Sequence, residues 1–143
     1  MSNPLYQTYA QASAGRNGAV TVEENTLTLN LSYPKALGGD GSGNNPEQLF
    51  AAGYSACFSN AVLHAAKMQK VDLKQAPVKA MVAMKSNSEG GFVLEVSLEV
   101  TLELEDSQAN EVVTLAHKVC PYSNATRNNI AVDITVNGNA LHS

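Results

Sequence analysis

Three things are scarce in this chain, and each scarcity removes a class of function. Cationic side chains are few and scattered: nine Lys and Arg stand against thirteen Asp and Glu in 143 residues, a formal net charge of −4. Nucleic-acid affinity rests on clustered cations that neutralise phosphates, so nucleic acid is excluded as the main partner. Long apolar runs are also missing. Nowhere do 18 consecutive apolar residues occur, so no membrane span is expected. Residues 1–14 hold no basic segment followed by an apolar run, the pattern of an export signal, and the cytoplasm is the expected location. Cysteine is limited to Cys57 and Cys120. In a cytoplasmic chain such residues are more often catalytic, metal-binding or plain core than a permanent disulfide. Neither belongs to a Cys-x-x-Cys pair, which counts against a structural zinc site and against a dithiol exchange enzyme of the usual spacing.

What is present fits one globular domain over residues 1–143. Hydrophobic residues make up 44% and charged residues 15%, a balance that excludes general disorder. Residues 6–14 and 19–31 read as a hairpin, because Leu27, Leu29 and Leu31 alternate with Thr26, Thr28 and Asn30. Gly15-Arg16-Asn17-Gly18 supplies the turn, with a glycine at each end to take positive φ, and so places Arg16 on a tight loop. Residues 32–45 form a glycine-rich loop. It lacks the Gly-Lys-Ser/Thr ending of a phosphate cradle and reads as a crossover into a helix. Asn45 as cap, Pro46 at the first helical position and Gln48 three residues on predict a helix over 46–70. Its middle, residues 51–61, is small and weakly polar on nearly every face, so burial on several sides is expected.

Beyond Pro77 two strands alternate. In the second, Phe92, Leu94, Val96, Leu98, Val100, Leu102 and Leu104 share one face, while Glu95, Ser97, Glu99, Thr101 and Glu103 form a solvated one. A second helix over 107–119, capped by Asp106 or Ser107, ends at Cys120-Pro121. A last strand carries Ile130, Val132, Ile134 and Val136. The order lacks βαβ repetition and predicts an α+β fold, helices against largely antiparallel sheet.

Cys57 lies mid-helix, where a small core residue is the plain reading. Cys120 sits where a helix meets a proline, a position better suited to movement. The two are 63 positions apart, so only folding can join them; the residues alone leave core cysteines and a redox couple both open. His117 with Cys120, three apart, and Cys57 with His64, seven apart, are the pairings weighed for a metal, and the chain has no short structural pair such as Cys-x-x-Cys. His64 also lies two turns beyond Cys57, roughly 10 Å along a helix, too far for a Cys-His couple.

Longer motifs point further. The run Gly38-Gly39-Asp40-Gly41-Ser42-Gly43-Asn44-Asn45-Pro46-Glu47-Gln48-Leu49-Phe50-Ala51-Ala52-Gly53-Tyr54-Ser55-Ala56-Cys57-Phe58 resembles the signature of the organic hydroperoxide resistance proteins. These form a branch of the family that also holds the osmotically inducible protein C type. Val119-Cys120-Pro121-Tyr122-Ser123-Asn124-Ala125-Thr126-Arg127 resembles the segment around that branch's resolving cysteine, and Gly15-Arg16-Asn17-Gly18 its arginine turn. The likeness extends over nearly the whole chain.

The resemblance implies a peroxidase without metal, flavin or haem, built as an intertwined homodimer with sheets around two central helices. Cys57 would attack an organic hydroperoxide as thiolate, become a sulfenic acid and condense with Cys120. An apolar helix raises a thiol pKa, so a cation is needed; Arg16 is the candidate, held by Glu47 through a bidentate pair. A lipoyl dithiol, as dihydrolipoamide or a lipoylated protein, is the implied reductant. Leu49, Phe50, Tyr54 and Phe58 are candidate linings of an apolar pocket favouring alkyl or fatty-acid hydroperoxides, and equally candidates for ordinary core. Glu47 and Cys57 are ten residues apart, roughly 15 Å along one straight helix and about 80° around it. Arg16 and Glu47 are therefore expected to reach the Cys57 of a second subunit. The competing class is a non-enzymatic redox sensor using the same disulfide.

Overall fold

The structure, a computed structural model, describes residues 2–141. The chain divides into two compact units, Met1–Leu49 and Phe50–Ser143.

In the first unit, strands β1 (Ala10–Ala12), β2 (Ala19–Val22) and β3 (Thr28–Asn30) form an antiparallel sheet in that order. The hairpin expected over 6–14 and 19–31 is therefore shorter, and its second arm is two strands. The break lies at Glu23–Asn25, where Glu24 adopts φ 64°, a left-handed conformation no strand can contain. Nothing in the alternation of that arm announces it. The turn between β1 and β2 is one short helical turn, Gly15–Asn17. Gly15 has φ +60°, as expected, but Gly18 does not take positive φ. Gly18 is required for space instead: a Cβ there would lie 2.5 Å from Ser13 Oγ and 2.6 Å from the Ala14 nitrogen. Residues 32–45 are loop with one helical turn at Lys35–Leu37, pinned where Leu31 bridges Asn44.

Helix α1 spans Pro46–Met68. Its start follows the capping-box pattern: Gln48 N–H donates to Asn45 Oδ1 (2.9 Å), and Asn45 N–H to Gln48 Oε1 (3.2 Å). Within the second unit, strands β4 (Val78–Ser86), β5 (Phe92–Val100), β6 (Val132–Val136) and β7 (Asn139–Ala140) form a sheet in sequence order. Helices α2 (Asp106–Val119) and α3 (Pro121–Thr126) precede β6. β4–β5 and β6–β7 are antiparallel, but β5 and β6 are parallel. The sheet is largely antiparallel and βαβ repetition is absent, as expected, but one crossover occurs: the return through α2 and α3 brings β6 beside β5 in the same direction.

The core joins Tyr54, Phe58, Val62, Ala65 and Ala66 of α1 to Val96, Leu98 and Val100 of β5, Val112, Val113 and Ala116 of α2, and Ile134 and Val136 of β6. Each fully buried Val, Leu or Phe stabilises the unit by about 1.5–3 kcal/mol. The burial of α1 expected on several sides is confined to one: Ala52, Ala56, Asn60 and His64, spaced by four, are exposed. No helix among the described residues is long and apolar enough to cross a membrane.

Candidate active site

The first unit contributes a charged pair. Arg16 sits in the turn between β1 and β2, where Gly15 takes positive φ and Gly18 leaves room for Ser13 and Ala14. Glu47 is in the first turn of α1. The guanidinium grips the carboxylate with two parallel bonds, Nη1 to Oε2 at 2.7 Å and Nη2 to Oε1 at 2.5 Å. Both side chains are mostly covered, 23% and 19% exposed. The Arg16 hydrogen bonds hold Glu47 below the usual carboxylate range and hold Arg16 more firmly protonated.

The second unit contributes two sulfurs. Cys57 is half-buried on α1 and Cys120 is fully buried, and both are free thiols. Their Sγ atoms lie 3.7 Å apart, with the Cys120 thiol donating. Burial pushes the Cys57 thiol above its ordinary value, while the backbone N–H of Tyr122 acts against that rise. Cys120 occupies the joint between α2 and α3 with an extended backbone (φ −65°, ψ 123°). Its own N–H donates to the Ala116 carbonyl, and its carbonyl accepts from Asn124 N–H, both at 2.9 Å.

Several contributors around the sulfurs escaped the sequence reading. Helix α3 was not foreseen, because Pro121 after a helix reads as a terminator and six residues show no period. Here it is the first residue of a new helix, the position proline tolerates best. The Tyr122 ring lies over α1 at Gly53, where a Cβ would come 2.6 Å from Tyr122 Oη. A glycine inside a helix costs about 1 kcal/mol relative to alanine and so flags close approach; that signal was present in the sequence. Behind Cys120, Ser123 Oγ bonds to Tyr54 Oη (2.8 Å) and His117 Nδ1 (2.8 Å), and Tyr54 Oη also meets Thr126 Oγ1 (3.2 Å). Burial, then the charge of Arg127, lowers the His117 pKa.

The structure thus pairs Arg16 with Glu47 and Cys57 with Cys120. His64 is exposed. Tyr54 and Phe58, weighed as pocket linings, are instead wholly buried core residues. Phe50 is half-buried and meets Tyr54 and Tyr122 edge-on, with ring centres at 6.2 and 6.3 Å.

Comparison with known proteins places this arrangement. The family model for OsmC-like protein matches residues 39–135, and the chain belongs to that family. It is 40% identical over 131 residues to the organic hydroperoxide resistance protein OhrB of Bacillus subtilis, covering 91% of this chain and 96% of that protein. It is 41% identical to the organic hydroperoxide resistance protein of Xanthomonas axonopodis pv. citri, covering 92% and 94%. A Vibrio cholerae protein crystallised with captopril in one of its active sites is 60% identical, with TM-score 0.95 over 97% of this chain and 96% of that one. Within the family, the chain falls in the branch of organic hydroperoxide resistance proteins.

Proposed function

We propose that this protein is a thiol peroxidase of oxidative-stress defence that reduces organic hydroperoxides in the cytoplasm. The names of its relatives support the substrate class. The observation that carries the mechanism is the 3.7 Å approach of two free sulfurs 63 positions apart. A disulfide bond is about 2.05 Å long, so closure asks for less than about 2 Å of movement.

The Cys57 thiolate attacks the terminal oxygen of the hydroperoxide. The O–O bond breaks, sulfur gains the hydroxyl as a sulfenic acid, and the alkoxide leaves and takes a proton to become the alcohol. The Cys120 sulfur then displaces hydroxide from the Cys57 sulfur, and water forms with the Cys120 proton. A dithiol, a lipoyl group in this reading, returns two electrons and two protons and becomes a disulfide. It attacks the Cys57 sulfur, because Cys120 is 0% exposed and Cys57 is not.

Arg16 supplies the charge that a buried thiolate needs, and Glu47 fixes the guanidinium. Ten residues of unbroken helix separate Glu47 from Cys57, which supports a homodimer in which Arg16 and Glu47 of one subunit serve the Cys57 of the other. The open Ala52–Ala56–Asn60 stripe on α1 suits close packing of a second copy.

The test is peroxide consumption by wild type, Cys57→Ser and Cys120→Ser, with cumene hydroperoxide against hydrogen peroxide and dihydrolipoamide against glutathione. The expected result is fast turnover of the organic peroxide with the dithiol, reduced to background in Cys57→Ser. A wild type that oxidises once and then stalls with every dithiol would overturn the enzyme in favour of a redox sensor.

A further inference from the structure

We propose that Ser123, held between Tyr54 and His117, is the positioning residue that sets Cys120 for disulfide closure. The inference rests on the peroxidase reading above, because closure is its second step.

The argument starts from what docks α3. Its only buried residues are Ser123 and Thr126, while Pro121, Tyr122, Asn124 and Ala125 are exposed. The one large side chain of the segment, Tyr122, is 38% exposed and lays its ring on α1, with ring centres 6.3 Å from Phe50 and 5.6 Å from Tyr54. Apolar burial is non-directional and tolerates sliding, whereas hydrogen bonds in a buried setting fix both distance and orientation. The Tyr122 ring holds α3 on α1, while the Ser123 and Thr126 hydroxyls fix the orientation of the segment and of the joint carrying Cys120.

Those hydroxyls tie α3 to both neighbouring helices. Ser123 Oγ reaches Tyr54 on α1 and His117 on α2, each at 2.8 Å. Tyr54 stands three residues before Cys57, so the two share a side of α1. The Cys120 carbonyl accepts from Asn124 N–H one residue beyond Ser123. A shift of Ser123 thus carries Cys120 with it, and the 3.7 Å sulfur separation is referenced to the helix that bears Cys57. A serine hydroxyl has one proton and can accept as well, so it satisfies a phenol and an imidazole together. Alanine at 123 strands His117 Nδ1 and leaves Tyr54 only Thr126.

A single-turnover experiment separates the two chemical steps. Homodimeric or not, the full chain is reduced and mixed with one equivalent of cumene hydroperoxide. Sulfenic acid formation is read by trapping with a dione probe, and closure by the loss of two thiols in the intact mass. In Ser123→Ala, closure is expected to slow roughly tenfold or more, the size of effect expected when buried polar atoms lose a partner. Trapped sulfenic acid rises, and its rate of formation stays within about twofold.

His117→Asn, which keeps a polar atom at the δ position, should close near the wild-type rate, while His117→Leu should resemble Ser123→Ala. That difference separates positioning from simple loss of helix packing. Should Ser123→Ala fail to fold, Tyr54→Phe keeps the buried ring, removes the hydroxyl and gives the same reading. Wild-type closure in these variants, with sulfenic acid still forming, overturns the proposal and leaves the peroxidase intact. If Cys120→Ser forms no sulfenic acid at all, the peroxidase reading fails and this inference falls with it.

Discussion

The two units of this chain solve different problems. The first holds its charged pair with almost no core: among its described side chains only Leu31, Ser32 and Asn45 are buried, and its strands are three or four residues long. Its precision comes from turns, from glycines and from a bidentate ion pair. The second holds two sulfurs inside a continuous apolar core, with its precision set by packing and a buried hydroxyl network. The contrast is chemical as well as structural. A buried thiol with no cation resists ionisation, and an Arg–Glu pair has no nucleophile. On the proposed mechanism the two units are complementary: the first supplies a partly exposed charged pair and the second a half-buried and a fully buried sulfur.

The sharpest way to break this division is Arg16→Ala. If the charge of the first unit serves Cys57, sulfenic acid formation should slow by about 10²–10³, the usual cost of removing one preorganised charge donor. Cys57 alkylation should also move to higher pH, because burial raises that thiol and the opposing cation is gone. An unchanged rate and profile would mean that the second unit suffices alone.

A smaller effect sharpens the account of the second unit. Gly53→Ala should stabilise by up to about 1 kcal/mol through helix propensity in a Tyr122→Ala background. With Tyr122 present the gain should vanish, because the new Cβ falls 2.6 Å from its hydroxyl. Urea midpoints of the four proteins measure the coupling; additive effects would show that the ring does not rest tightly on α1.

The smallest effect belongs to the first unit. Glu47 has its folded pKa lowered by Arg16, so its ionised form stabilises above the ordinary carboxylate pKa. That stability is lost as pH falls through the lowered value. Glu47→Gln should therefore cost no more than about 1 kcal/mol near neutral pH, given partial exposure. The gap to wild type should narrow as pH falls from the ordinary carboxylate range through the lowered Glu47 value. Denaturation midpoints across that range decide it, and a gap that widens in acid would contradict the ion pair.

What could be read from the sequence was local. The α1 start was legible because Asn45, Pro46 and Gln48 encode it within four residues. The faces of β4 and β5 followed from period-two alternation, and the motif around Cys57 carried the family. Missing were features decided by distant partners or by a single backbone angle: the break at Glu24, the parallel alignment of β6 on β5, and the helical restart at Pro121. The roles of Tyr54 and Phe58 stayed open between pocket and core for the same reason, since an aromatic on a helix near a cysteine looks alike in either setting. The approach of Cys57 to Cys120 left no trace in spacing; the motif resemblance implied it, and the fold brings the two free sulfurs to 3.7 Å.

The depth of Cys120 bears on survival under oxidant surges. A sulfenic acid on Cys57 has two fates: capture by a neighbouring sulfur, or a further oxygen that makes an irreversible sulfinic acid. The neighbour is already 3.7 Å away, whereas a second peroxide must diffuse in from solution. Cys120 is itself sealed from solvent, so on the proposed mechanism peroxide meets Cys57 and not the sulfur that captures its sulfenic acid. On that mechanism overoxidation is a race between closure and the arrival of a second peroxide, and faster closure lengthens the working life of the protein.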